Sequence, residues 1–218
     1  VDHRMHMNTV FARTLAAGRA AVRAAYPDAR VGFDGPLGAG GYNGYDLWKL
    51  AQAMDLWGAY PYNWEFYEAP RSFCEQGYYG GVWFGGYPDC RYPFHNWPWT
   101  IILGGMDSAW WFCSYGGGPF EALAPDFRPY SDFLRVVKEV RRLKSGVGKL
   151  ILHANREGEP VAIYYSPESE YARMAYGKPA GAMSPRAVLA AARLEWRLVA
   201  VPLIRNGGLD GIRGLVPA

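Results

Sequence analysis

Two glutamates three residues apart, Glu65 and Glu68, lie in Tyr62-Asn63-Trp64-Glu65-Phe66-Tyr67-Glu68. An apolar, aromatic setting raises a carboxyl pKa and suits an acid catalyst. Asp34 and Asp107 are further acids at the ends of strand-like runs. Glycosidases work with paired carboxylates, one on either side of the bond to be cut. Each acid has a plainer alternative: pairing with Arg71 or Arg91, or capping a helix. Around these acids 20 aromatics fall between Trp57 and Tyr115, among them seven of the nine tryptophans. A core rarely needs so many indoles, because each buried N–H wants a partner. Flat rings stack on the C–H faces of sugars, which makes Trp64, Trp83, Trp110 and Trp111 candidate stacking residues. Asp34, Asn63, His95 and Asp107 are the candidates for binding sugar hydroxyls. The competing reading is an aromatic-rich core with rings at an interface.

Other chemistries find less support. Cys74, Cys90 and Cys113 contain no CxxC pair for zinc, and the odd count leaves at least one thiol unpaired. One disulfide or three free buried thiols both fit. His3 and His6 lie three apart without a third ligand, so no metal is expected, and no cofactor either. Ser114 and Ser166 lack the nucleophile-elbow setting. Gly116-Gly117-Gly118 precedes no helix bearing a phosphate-binding lysine. The 23 basic and 20 acidic residues balance to +3, too even for a nucleic-acid surface. The densest basic cluster, Lys138, Arg141, Arg142 and Lys144, reads as the solvated face of a helix. No run of about 18 apolar residues offers a membrane span.

The elements that must position these groups alternate. Apolar spacing predicts a helix over residues 5–25, broken at Tyr26-Pro27-Asp28. A short strand over 30–35 follows, then a glycine-rich loop to Gly44. Asp46 is placed to cap a helix through Met54. Strands are expected at 56–60, at 78–84 (weakened by Gly80 and Gly81) and near 109–113, with a helix or turn over 97–103. An amphipathic helix spans 131–143. This α/β alternation argues for about four parallel strand–helix units, half of a (β/α)8 barrel, whose active face is built by the loops after the strands. Composition shifts near 145–159. Beyond it come a strand at 161–166 and a helical pattern at 185–198, the start of a second α/β unit. The tail 205–218 shows no pattern. The first and last residues read as cut from a longer chain.

The order of several motifs resembles the later barrel of β-galactosidase-like glycoside hydrolases of family 42. They are Val1-Asp2-His3-Arg4, Asp28-Ala29-Arg30-Val31-Gly32-Phe33-Asp34-Gly35, Tyr42-Asn43-Gly44-Tyr45-Asp46, Arg71-Ser72-Phe73, Gly85-Gly86-Tyr87 and Trp97-Pro98-Trp99 with Leu103-Gly104-Gly105-Met106. Lys144 to Leu150, followed by Val161 to Ser166, resembles the same family's passage from barrel to trimerisation domain. The resemblance covers residues 1–175. It implies the C-terminal half of a (β/α)8 TIM barrel over 1–150, then the start of a flavodoxin-like α/β domain over 151–218. It implies a retaining glycosidase with two glutamates, a carbohydrate substrate and a trimer. The acid/base glutamate, at the end of the fourth strand, falls before Val1. The nucleophile falls near the end of the seventh, here Tyr79–Gly86, which ends Val82-Trp83-Phe84-Gly85-Gly86 without an acid. Glu68 is therefore the first candidate to reach in from the preceding loop, and Glu65 the second. A non-catalytic carbohydrate-binding or oligomerisation relative is the alternative. Half a barrel also leaves an unpaired strand edge on each side, so this segment alone is expected to be unstable or oligomeric and inactive.

Overall fold

Phe11, Ala12, Leu15 and Ala16 recur on one side of α1 (Asp2–Ala25) and turn that side to the core. In a computed structural model the chain is described over residues 1–34, 45–59, 64–74, 79–85, 94–112, 114, 121–154, 158–176, 188–189 and 191–217. Asp55 fixes the entry to the first strand: its carboxylate accepts from Val31 N–H at 3.2 Å and pairs with Arg19 and Arg23 of α1. Four strands follow, β1 (Gly32–Asp34), β2 (Leu56–Ala59), β3 (Tyr79–Gly85) and β4 (Ser108–Phe112). They pair in sequence order and all run parallel. Parallel neighbours need crossovers. These are supplied by α2 (Leu47–Ala53), α3 (Trp64–Phe73) and α4 (Trp97–Leu103), with α5 (Ser131–Arg142) after β4.

Asp46 does cap α2, accepting the Lys49 N–H at 3.2 Å. Helix α3 corrects the loop expected around Glu65 and Glu68. Pro70 lies inside it, where a proline normally breaks a helix. Strand β3 forms in spite of Gly80 and Gly81, because it is bonded on both sides, to β2 and β4. After α5 the chain passes through a π-turn at Leu143–Val147, with Gly146 at φ 135°, into α6 (Gly148–His153). The division expected between residues 150 and 151 falls inside α6.

A second parallel sheet has the order β6-β5-β7, with β5 (Val161–Tyr164) between β6 (Trp196–Val199) and β7 (Gly214–Val216). Two expectations change here. Residues 196–198, read as helix, are strand, and the tail read as patternless supplies β7. Helix α7 (Pro167–Ala175) is capped by Ser166, whose hydroxyl accepts the Ser169 N–H at 3.1 Å. A polar seam joins the two units. The Asn8 amide of α1 donates to the Tyr171 hydroxyl of α7 at 2.6 Å, and Leu47 N–H donates to the Tyr165 hydroxyl at 2.8 Å. One buried apolar cluster runs through both sheets, from Trp57, Leu47 and Val82 to Ile163 and Leu198. The chain is thus an α/β protein of two parallel sheets with helices between strands.

Candidate functional site

Side chains alternate between the two faces of a strand. In the first sheet Phe33, Trp57, Val82, Phe84 and Trp111 point one way, into the helices. Asp34, Gly58, Gly81, Trp83, Trp110 and Phe112 share the other face by register. That face gathers three of the expected residues near the C-terminal ends of their strands. The Trp83 indole N–H donates to Asp34 Oδ1. The Trp83 and Trp110 rings lie 5.4 Å apart at 51°, and Phe112 meets Trp83 edge-on at 6.4 Å. The Trp110 ring reaches over the neighbouring strands at Gly58 and Gly81, which carry no side chain. A Cβ on Gly81 would stand 2.2 Å from the ring, and one on Gly58 would stand 2.9 Å from it. Two glycines and an aspartate therefore frame an indole platform beside a carboxylate.

The remaining candidates are placed elsewhere. Trp111 is corrected: it packs edge-on against Phe84 at 5.2 Å and Phe133 of α5 at 5.1 Å, on the helix-covered face. Adjacent residues of one strand cannot both face the same side, so Trp110 excludes Trp111. Asp107 is corrected too. It precedes β4, at the opposite end of the strand from Phe112, and its N–H bonds to Gly80 O at 3.1 Å. Burial pushes the Asp107 carboxyl up, against hydrogen bonds from its own backbone and from Ser108 that pull it down. His95 lies in the turn Phe94–Asn96 ahead of α4. Glu139 accepts the Trp99 indole N–H at 2.9 Å. Asn63 lies outside the described residues, as do Cys90 and Cys113. Trp64 and Glu65 open α3, at the end of that helix nearest the C-terminal edge of β2 in sequence.

Glu68 is buried on α3 and faces the second sheet. Its Oε2 takes Arg71 Nε at 2.9 Å and Nη2 at 2.5 Å, and its Oε1 accepts from Ser72 Oγ at 2.6 Å. Burial pushes its carboxyl up to about 7, against Arg71 and Ser72, which pull it down. Arg71 also bonds Glu159 and donates to the Trp196 carbonyl at 2.6 Å, and Ser72 Oγ accepts the Leu198 N–H at 2.9 Å. Pairing with Arg71 was the plainer alternative for Glu68 in the sequence; Ser72, Glu159 and the β6 contacts were missed, although the i, i+3, i+4 spacing of Glu68, Arg71 and Ser72 puts them on one face of a helix once α3 is recognised. Cys74, at the end of α3, is a free thiol that burial pushes up to about 12. Among the described residues no three His, Cys, Asp or Glu side chains gather as a metal site. None of the described helices is long and apolar enough to cross a membrane.

Fold and placement together define a parallel α/β protein with an acid and paired indoles on the face of its larger sheet opposite Trp57, Val82 and Trp111. Solved structures sharing this fold are β-galactosidases. That of the haloarchaeon Halorubrum lacusprofundi matches 96% of this chain and 36% of its own, with a TM-score of 0.64 at 15% identity. Gan42B, a GH42 β-galactosidase from G. stearothermophilus, matches 90% of this chain and 34% of its own, with a TM-score of 0.60 at 18% identity. The enzyme of the psychrophilic Marinomonas ef1 matches 80% of this chain and 34% of its own, at 0.54 and 15%. The chain therefore spans about a third of the length of the structures it matches. No family model and no curated protein matches the sequence.

Proposed function

We propose that this chain is part of a glycoside hydrolase acting on β-linked sugars, β-galactosides by analogy with its structural neighbours. In this reading the first sheet is the C-terminal half of a (β/α)8 barrel, and the second begins a flavodoxin-like domain that assembles the protein into an oligomer. The observation that carries it is the Asp34–Trp83–Trp110 cluster on one face of the larger sheet in a fold shared with β-galactosidases. Trp110 offers a flat apolar face of the kind that packs on sugar C–H groups. Trp83 fixes Asp34 through Oδ1. Oδ2 of Asp34 then accepts from sugar hydroxyls, which orients the ring above the indole.

A retaining mechanism needs two carboxyl groups about 5–5.5 Å apart across the scissile bond. One protonates the leaving oxygen. The other attacks the anomeric carbon, and water then releases the sugar. Glu65, in the first turn of α3 just after β2, is the candidate for the carboxylate from this chain. Glu68 is the less suited of the two, since Arg71 and Ser72 already occupy its oxygens. The test is hydrolysis of a panel of nitrophenyl glycosides by the intact protein. Asp34→Asn and Trp110→Ala should raise KM, while Glu65→Gln should abolish kcat and spare the fold. Hydrolysis of one β-glycoside with that pattern supports the reading. A folded protein that binds sugars without hydrolysing any would replace the enzyme by a carbohydrate-binding relative.

A further inference from the structure

The edge of the second sheet is not left open. Strand β6 is its outer strand, and an outer strand presents unpaired main-chain groups that recruit other strands. Here α3 of the first unit covers them: Arg71 takes the Trp196 carbonyl and Ser72 Oγ takes the Leu198 N–H. Both side chains are held by Glu68, and Arg71 is shared with Glu159. Side-chain exposure is 10% for Glu68, 14% for Arg71 and 18% for Glu159. One guanidinium therefore serves two carboxylates in a largely dry contact. Among the described residues the triad carries one more carboxylate than guanidinium, and burial makes such an excess negative charge costly. We propose that the Glu68–Arg71–Glu159 triad is a proton-sensitive latch that fastens α3 to the edge of β6.

Among the described residues, the charged groups acting on Glu68 are Arg71 on its own helix and Glu159 from the segment before β5. Strand β6 offers main-chain atoms at Trp196 and Leu198, and α2 offers the neutral Gln52 amide, bonded to Phe73 O at 3.1 Å. The Cys74 thiol stays protonated and neutral. A proton is the nearest means of balancing the triad, and its place is Glu68, the carboxyl pushed up to about 7 from an ordinary 4.5. The sign follows. The docked form binds this proton more tightly than the undocked form. The latch therefore has its full support from that proton below about pH 4.5 and loses it as the pH rises through about 7. Between pH 6 and pH 8 the docking constant should fall about tenfold.

The test is amide hydrogen exchange on the intact protein, read as protection factors at pH 6 and pH 8. Leu198 N–H reports the latch. Tyr165 N–H, bonded to Val199 O at 2.8 Å, reports the β5–β6 pairing itself. We expect Leu198 protection to fall about tenfold between the two pH values, with Tyr165 protection steady. Glu68→Gln, which mimics the protonated acid, should remove the pH dependence and protect Leu198 at pH 8 at least as well as the parent chain does. Ser72→Ala should lower Leu198 protection at both pH values and leave Tyr165 protected. The proposal is overturned if the parent chain shows no pH dependence, if Glu68→Gln retains it, or if Ser72→Ala leaves Leu198 unchanged.

Discussion

Replacing Gly81 by alanine attacks the indole platform from beneath. The new Cβ would stand 2.2, 2.5 and 2.6 Å from three carbons of the Trp110 ring. Carbon atoms rest about 3.5–4.0 Å apart, so the ring must rise from the sheet by roughly 1 Å or more. Gly81 is buried in the middle of the sheet, with β2 on one side and β4 on the other, so the backbone has little room to yield. Overpacking of this kind costs about 1–3 kcal/mol of stability. The lifted ring runs into Trp83, 5.4 Å away, and disturbs the indole N–H bond to Asp34. If stacking supplies about 1.4 kcal/mol of sugar affinity, its loss weakens binding about tenfold. The assay is near-ultraviolet circular dichroism, which senses the paired indoles, together with a titration of tryptophan fluorescence by methyl β-galactoside. The expected result is a weakened indole signal and a tenfold higher Kd in a chain that still melts cooperatively. An unchanged indole spectrum with unchanged sugar affinity would refute the platform.

Three further outcomes are expected. Gly18 lies in α1 with nothing within 4 Å of an added Cβ, so Gly18→Ala should stabilise the chain by about 0.5–1 kcal/mol in urea unfolding. Trp111→Ala should cost about 3–5 kcal/mol in the same assay, because the ring fills the space between Phe84 and Phe133, while sugar affinity per folded molecule stays as it was. Cys74, with its thiol pushed up to about 12, should react with iodoacetamide at pH 8 about a thousandfold more slowly in the folded chain than after denaturation.

Outside α3 the order of elements from Asp2 to Arg142 was legible because helical and extended periods alternate, and because Asp46 announces α2. Helix α3 was hidden by Pro70, and with it the spacing that joins Glu68 to Arg71 and Ser72. Strand β7 has three residues, too few for a period, and owes its form to β5 beside it. Trp196-Arg197-Leu198-Val199 suits either state until a neighbour decides, and here β5 decides for a strand. Asp34, Trp83 and Trp110 could be selected as a set by chemistry alone. Their common face depends on register, which no single strand encodes. The pairing Trp83↔Trp110 is fixed only when β3 and β4 meet. Trp111 shows the converse, since a period of two already implies that one of two adjacent tryptophans turns inward to the helices.

The polar seam between α1 and α7 bears on the order in which the protein can mature on the ribosome. Asn8 and Tyr171 are 163 residues apart, and both are buried in the finished fold. At about 5–20 residues per second, the amide of Asn8 emerges roughly ten to thirty seconds before the hydroxyl that receives it. During that interval the face of α1 that will meet α7 is wet, and the nascent chain offers it to chaperones and proteases. Helix α1, made well before α7, is thus finished only once α7 has followed it. Slowing translation between the two residues should lengthen that exposure, without altering any contact in the completed molecule.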